Sequence, residues 1–443
     1  MSLTREDRNR RIGSVFRVAT GNFLEQYDFF VYGIYAAYIG RTFFPTENEF
    51  ASLMASLGAF AISFLMRPLG AIVLGAYIDR HGRRQGLIVT LALMALGTLT
   101  LALTPGYATI GVAAPIIIVL GRLLQGFSAG AELGGVSVYL AEIATPGRRG
   151  FYTSWQSGSQ QVAVVFAALL GALLSVILSP ADMAAWGWRV PLLIGCAIIP
   201  IILWLRRSLE ETEEFRRMEK AKRTGELLLL LRAQWALVVA GLGLVATTTT
   251  LFYFTTIYTP TFGSQALHLD PTSVLGVTVC IGLSNLVWLP VGGSLSDRFG
   301  RIPLLVLVPI LAIVTAYPAL AWLASAPSFG KLLAVELMFS AFFGLYNGAM
   351  IPHLTEIIPP QIRTAGFSLA YSLATAIFGG VTPLVSTYLI QVTGSRAAPA
   401  LWLAAAGAIS LVAALASRRY AVPAGRATTP ASARPGVARS PRR

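Results

Sequence analysis

The segment GNFLEQYDFFVYG, residues 21–33, sets Asn22, Glu25, Asp28 and Tyr32 into an otherwise apolar run. At ~100° per residue these four, together with Tyr35, fall within an arc of about 140° on a helix. A carboxylate on such a face is suited to proton exchange, because burial and a neighbouring cation move its proton affinity in opposite senses. A second polar face lies in GRLLQGFSAGAELGG, residues 121–135. There Arg122, Gln125, Ala129 and Glu132 share an arc of about 80°, and Gly126, Gly130 and Gly134 occupy the adjoining arc. A guanidinium can take a carboxylate in bidentate fashion, which makes Arg122 the best-suited ligand for an anionic substrate. The glycines allow another helix to approach closely.

Further polar groups stand in apolar surroundings: Gln156 and Gln160 at i, i+4, then Thr248, Tyr253, Thr256, Tyr346, Asn347 and Tyr371. Each is a candidate substrate contact, and for each the alternative is an ordinary interhelical hydrogen bond of about 0.6 kcal/mol. Arg67 lies 12 residues before Asp79, and Glu132 lies 10 before Glu142. Those spacings put Arg67 and Glu132 at similar depths, about 18 and 15 Å from one face. A buried Arg67–Glu132 ion pair is the expectation, with Arg67 as a direct substrate ligand the alternative. His353 falls three residues before Glu356, where a hydrogen bond near the helix end is expected, and Glu336 falls near the other end of its span, where an interfacial position is expected. Cys196 and Cys280 stand apart from each other and from any CxxC or His/Cys cluster, so neither a disulfide framework nor a metal site is expected.

The elements that must position these groups are membrane helices. The chain has 443 residues, 55% hydrophobic and 12% charged, against roughly 25% charged in soluble proteins; its mean hydropathy is +0.67. Apolar runs near the ~20 residues needed to cross a hydrocarbon core recur throughout. They give twelve expected spans at 15–38, 52–78, 86–104, 112–141, 151–178, 189–206, 233–262, 273–295, 303–324, 332–357, 364–392 and 399–417. No short apolar stretch with a small-residue cleavage site opens the sequence, so no removable signal peptide is expected. Of the 34 Lys and Arg, 28 fall in the two termini and alternate loops or at the span ends that border them. That asymmetry places both termini in the cytoplasm and accounts for the formal charge of +14 without a nucleic-acid partner. The charged loop 206–226 reads as surface helices, and the Pro-, Ala- and Arg-rich tail as disordered.

An internal repeat divides the chain. GAYIDRHGRR (75–84) is echoed by GSLSDRFGR (293–301), and EIATPGRRG (142–150) by EIIPPQIRTAG (356–366). Six spans plus six with matching loops imply two bundles related by an axis along the membrane normal. The expected division is a cytoplasmic N-terminus at 1–14, bundles at 15–206 and 233–417, a cytoplasmic inter-bundle loop at 207–232 and a cytoplasmic tail at 418–443.

The loop at Gly75, Asp79, Arg80, Gly82, Arg83 and Arg84 resembles the signature loop of the major facilitator superfamily, and the likeness extends over all twelve spans. RPLGA (67–71), GRLLQGFSAGAELGG and WGWRVP (186–191) resemble its metabolite–proton symporter family. The opening helix is similar to the citrate–proton branch, with tricarballylate carriers close to it. The resemblance implies an all-α fold of two pseudo-symmetric six-helix bundles rocking about a central site. It implies a cytoplasmic gate built from Asp79, Arg80, Arg83, Glu142, Arg149, Asp297, Arg298, Glu356 and Arg363, with Arg148 beside Arg149, Glu142 paired to these arginines and Glu356 to Arg363. Asp28 resembles the first-helix aspartate of proton-coupled sugar carriers, which faces the fourth-helix arginine, here Arg122; Glu25 is the rival proton site. One cation shared between Asp28 and an anionic substrate would couple the two.

The function implied is secondary active symport of a tricarboxylate with protons, in a bacterial inner membrane, by a monomer whose coupling ion is the proton and which uses no further cofactor. Tricarballylate, a dicarboxylate or a zwitterionic osmolyte are the alternative cargoes. An enzyme is not expected, since the sequence holds no HExxH, nucleophile elbow or phosphate loop.

Overall fold

Apolar runs with few charges can satisfy their backbone in lipid only as helices, and helices are what the sequence builds. The structure is a computed structural model that describes residues 23, 26–81, 83–130, 133–207, 232–359 and 362–420. Twelve helical segments follow in order among these residues. They are α1 (residues 26–43, with a turn at Tyr35), α2 (Glu49–His81), α3 (Arg83–Leu103), α4 (Ala113–Ala129, resuming as Leu133–Ile143), α5 (Arg149–Ile177) and α6 (Val190–Arg207). The second half repeats the plan with α7 (Trp235–Ala266), α8 (Pro271–Phe299), α9 (Arg301–Ser325), α10 (Phe329–Ile357), α11 (Arg363–Thr393) and α12 (Pro399–Ser417). Eight of these are long and apolar enough to cross a membrane, and shorter apolar stretches lie at Ile88–Leu103, Ala113–Ala129 and Gly187–Pro200. The twelve expected spans coincide with the twelve segments. The first part of the opening span, most of the loop after α6 and the C-terminal tail lie outside the described residues.

Packing follows the repeat. Helix α2 packs on α4 as α8 packs on α10, and α3 on α6 as α9 on α12. Between the halves, α5 lies along α8 and α2 along α11, which are symmetry-related pairs. The close crossings are made by glycine. A Cβ at Gly126 would stand 1.7 Å from the Ser63 carbonyl oxygen, and one at Gly130 would stand 2.0 Å from that of Arg67, so the α4 ridge presses directly on the α2 backbone. The same device joins the halves: Cβ atoms at Gly150 and Gly293 would each lie 2.3 Å from the other's carbonyl oxygen.

Two helices are locally unwound. Helix α7 has π-helical turns at Tyr253–Tyr258 and Phe262–Ala266 around Thr259–Thr261, and α11 has one at Thr375–Gly379. Pro260 and Pro383, which bring no amide donor, sit within or just beyond these turns.

The α2–α4 contact yields a test. Gly126→Ala should destabilise the protein by about 1–3 kcal/mol or more, seen as a lower melting temperature in detergent. Gly58→Ala, on the same α2 but with nothing within 4 Å of the added Cβ, should melt as the parent does.

Candidate functional site

Four aromatic rings from α1 and α2 surround the two arginines singled out above. The Phe29 ring has a guanidinium 4.5 Å from its centroid on each account, Arg67 and Arg122. Arg67 also lies 4.4 Å from Phe64, and Arg122 4.4 Å from Tyr32 and 5.2 Å from Phe60. Both side chains are buried, Arg67 2% exposed and Arg122 0%. Desolvated cation–π contacts of this kind contribute on the order of 2 kcal/mol, which offsets part of the cost of drying a charge. From the second half, Tyr253 on α7 closes the group, its phenol beside Arg67 and its ring 5.3 Å from that of Phe64; Tyr371 on α11 approaches Arg67 as well.

Arg122 makes no direct hydrogen bond to Asp28. Its Nη1 donates to Gln125 Oε1 at 2.6 Å, Gln125 Nε2 donates to Thr98 Oγ1 at 2.9 Å, and Thr98 Oγ1 donates to Asp28 Oδ2 at 2.5 Å. The expected face-to-face pair is therefore a relay across α4, α3 and α1. Asp28 points between α3 and α6, where a Cβ on Gly195 would come within 2.2 Å of its Oδ1. That oxygen has no hydrogen-bond partner among the described residues. Nη2 of Arg122 donates to Ser63 Oγ at 3.1 Å, while Nε of Arg122 and Nε and Nη2 of Arg67 have no partner among the described residues. These three guanidinium nitrogens are buried among the aromatic rings named above.

Tyr32 belongs to this group through its ring, while its hydroxyl donates to the Ser56 carbonyl at 3.1 Å. Asn22, Glu25 and Glu132 lie outside the described residues, as therefore does the expected Arg67–Glu132 pair. Asn347 sits elsewhere, on the interface between the halves. It accepts from Thr248 at 2.9 Å and donates to Ser157 at 2.8 Å, and Ser157 in turn donates to Gln156 at 2.8 Å. Gln160 is buried on the same helix. Tyr346 turns away from this line and donates to the Leu244 carbonyl within the second half at 2.8 Å. Sequence reasoning missed Thr98, which looks like any helical threonine, and the Gln161–Asn285–Ser340 chain that joins α5, α8 and α10 at 2.9 and 2.7 Å. Asn285 was visible as a lone amide in an apolar run. Glu336 is not interfacial: it is fully buried.

At the end carrying the signature loops, Asp297 binds across the halves. Its carboxylate accepts from the amides of Gly150 and Phe151 at 2.8 and 3.0 Å, at the start of α5. An acceptor there satisfies free amides and opposes the helix dipole. Arg301 donates to Asp297 at 2.7 Å and to Glu356 at 3.1 Å. Glu356 is thus paired with Arg301 and not with Arg363, whose Nε donates to the Ile358 carbonyl at 3.4 Å; the first-turn position of Arg301 on α9 puts it between both carboxylates. Arg298 lies over Phe299, and Glu142, Arg148 and Arg149 are exposed. Asp79, Arg80 and Arg83 are in helical backbone at the α2–α3 corner, with side chains outside the described residues. His353 is buried, as expected of a hydrogen-bonding role, against Ser417 at 2.9 Å.

A family model for the Major Facilitator Superfamily matches residues 18–369 and, a second time, 264–442. The chain belongs to the major facilitator superfamily. It is 57% identical over 401 residues to a citrate-proton symporter of Salmonella typhi, covering 90% of this chain and 92% of that one. It is 58% identical over 405 residues to a citrate-proton symporter of Klebsiella pneumoniae, covering 91% of each. The superfamily fold is seen again in the xylose transporter XylE of E. coli, in a partially occluded inward open conformation, with TM-score 0.73 and 20% identity over 93% of this chain and 98% of that one. The protein is accordingly a multi-pass membrane transporter of a small molecule and not an enzyme.

The Asp297 clasp predicts a change in access. Charge-assisted hydrogen bonds contribute about 1.5–3 kcal/mol, and 1.4 kcal/mol is a factor of about ten. In a chain with Cys196 and Cys280 replaced by serine, Ser154→Cys tests this end of α5, where Ser154 is 1% exposed. Adding Asp297→Ala should raise its rate of alkylation by a polar maleimide about tenfold or more.

Proposed function

We propose that this protein is a proton-coupled symporter that imports citrate by alternating access. The observation that carries the reading is the pair of buried guanidiniums, Arg67 and Arg122, three of whose nitrogens have no partner among the described residues, with a carboxylate reached from Arg122 through a relay. A dry cationic pair of this sort matches a multivalent carboxylate, and the 57–58% identical citrate-proton symporters support that cargo over the alternatives.

In this reading a citrate carboxylate accepts from Arg122 Nε and another from Arg67. Arg122 then shares its charge with the substrate, and the change passes through Gln125 and Thr98 to Asp28, the proton-carrying group. Tyr32 and Tyr253 wall the site; Gln156, Gln160 and Asn347 lie along the same interface and meet the substrate as the halves part. Asn22 on the first helix is assigned to the substrate and Glu25 to the proton path. The Asp297–Arg301–Glu356 cluster, with Asp79, Arg80, Arg83, Glu142, Arg149, Arg298 and Arg363 on the same side, forms the cytoplasmic gate. The two rocking bodies are residues 15–206 and 233–417, in a bacterial inner membrane, with both termini and the 207–232 loop cytoplasmic. Import of a multivalent anion works against the membrane potential, which contributes about 2.3 kcal/mol per charge per 100 mV. Protons moving with it supply the compensating charge.

The test is uptake in proteoliposomes under an imposed pH gradient. The parent protein should show citrate-dependent proton uptake, and its absence sinks the reading. Asp28→Asn should lose concentrative uptake by at least about tenfold yet keep citrate counterflow; if it accumulates citrate normally while Glu25→Gln does not, Glu25 is the proton site. Thr98→Val removes the relay's central hydroxyl and should lower concentrative uptake about tenfold, corresponding to about 1.4 kcal/mol, with an altered pH profile. Thr98→Ser should restore both.

A further inference from the structure

The second half contains a carboxylic acid that the relay does not use. Glu336 lies on α10 seven residues after Phe329, about 10 Å along the helix from that end. It is 0% exposed, and its helical neighbours Leu332, Val335, Phe339 and Ser340 are buried too. Neither Oε1 nor Oε2 has a hydrogen-bond partner among the described residues. Thr259 of α7 lies beside it, but its hydroxyl donates to the Thr255 carbonyl at 2.6 Å.

The charged and titratable groups on the elements packed around α10 are engaged or remote. On α7, Tyr258 accepts from Thr387 of α11 at 3.0 Å. Asp270 caps α8, accepting from the Ser273 amide at 2.8 Å at an exposed position, and Asp297 is in the clasp at the far end of that helix. On α9, Arg301 belongs to the same clasp and Tyr317 is exposed. On α5 the one charged residue is Arg149, at the clasp end, where Tyr152 also lies, as do Tyr139 and Glu142 of α4. Helix α11 brings Arg363 and Tyr371 toward the clasp and the arginines, and an exposed Tyr388. On α10 itself, the Lys331 ammonium donates to the Trp322 carbonyl at 3.2 Å and lies over the Trp322 ring, and His353 and Glu356 are near the clasp end.

An ionised carboxylate without water, donor or cation is far costlier than the neutral acid. We infer that Glu336 is a second proton-binding group of the transport cycle, carrying its proton as a neutral carboxylic acid while α7 is packed against it. The inference rests on the proton-symport reading above. Release follows from the element beside it. Thr259 sits on the short α-turn of α7 between two π-helical turns, and π-turns recur at functional sites. When this part of α7 shifts, water reaches the carboxyl and the O–H proton leaves to it, and the carboxylate takes a proton again before α7 returns.

The experiment uses the full-length protein and Glu336→Gln, which keeps the shape of the neutral acid. Infrared difference spectra of parent against variant in lipid should contain a protonated-carboxyl C=O band that the variant lacks; no such band overturns the inference whatever the transport result. In proteoliposomes, the proton-to-citrate ratio read from the reversal potential should fall by one in Glu336→Gln, with citrate counterflow kept within about twofold. An unchanged ratio overturns the role in the cycle. If the parent itself moves no protons with citrate, the symport reading fails instead, and the infrared band still decides the state of Glu336. Glu336→Ala, read by the same infrared band, serves if the glutamine variant does not fold.

Discussion

The structure depends on keeping two guanidiniums dry in the middle of a membrane. Each would cost roughly 2.5–3.5 kcal/mol on insertion scales, and side by side they also repel. The sequence meets this with π-faces: Phe29 has both cations within 4.5 Å of its ring, with Phe64 on one flank and Tyr32 and Phe60 on the other. Aromatic faces attract a cation without neutralising it, so its charge stays available. A carboxylate bonded directly to Arg122 would satisfy it better and leave less for a substrate. The aromatic-rich opening helix is thus explained by the arginines of other helices.

Such a site must also be able to close and open. In the proposed cycle closure rests on backbone contacts as tight as Gly150 against Gly293, which allow the start of α5 to reach Asp297 on α8. The glycines make the approach possible, and the carboxylate on the helix end makes it favourable. Because the clasp's partners are amides at a helix terminus and one arginine, its bonds can be exchanged for water one at a time as the halves separate. The α5–α8 seam above it is polar but uncharged, through Gln161, Asn285 and Ser340. Neutral amides can slide and re-pair at a cost that a buried ion pair would not permit.

Much of this was legible in the sequence, for physical reasons that also mark the limits. Hydropathy identified the twelve helices because burial in lipid demands long apolar runs. The α4 periodicity separated the glycine ridge from the Arg122–Gln125 face, and the ridge does meet the α2 backbone. Pairing was harder. Asp28 and Arg122 were joined in expectation through the resemblance to proton-coupled sugar carriers, yet Thr98, a residue whose type carries no signal, lies in the path. Glu356 was matched with Arg363 as part of the gate that the resemblance implies, whereas Arg301 reaches it from the first turn of another helix. Burial of Glu336 depends on the irregular α7 packed over it, and π-turns leave little trace in composition.

The relay itself makes mechanical sense as an alternative to a direct ion pair. Removing one partner of a buried pair strands the other charge, at about 3–5 kcal/mol. If Arg122 were bonded to Asp28, each arriving carboxylate would have to meet that cost before gaining its own contacts. With Gln125 and Thr98 between them, the arriving carboxylate takes Arg122 Nε, which has no partner among the described residues, and breaks no ion pair; the Nη1–Gln125 bond, worth about 1.5–3 kcal/mol, is kept. Asp28 has its own bond, from Thr98. In the proposed mechanism the two sites sense one another through polarised hydrogen bonds and distance-weakened charge. A carrier has to rearm on each cycle, and it is better served by a link of this strength than by the strongest contact the residues could make.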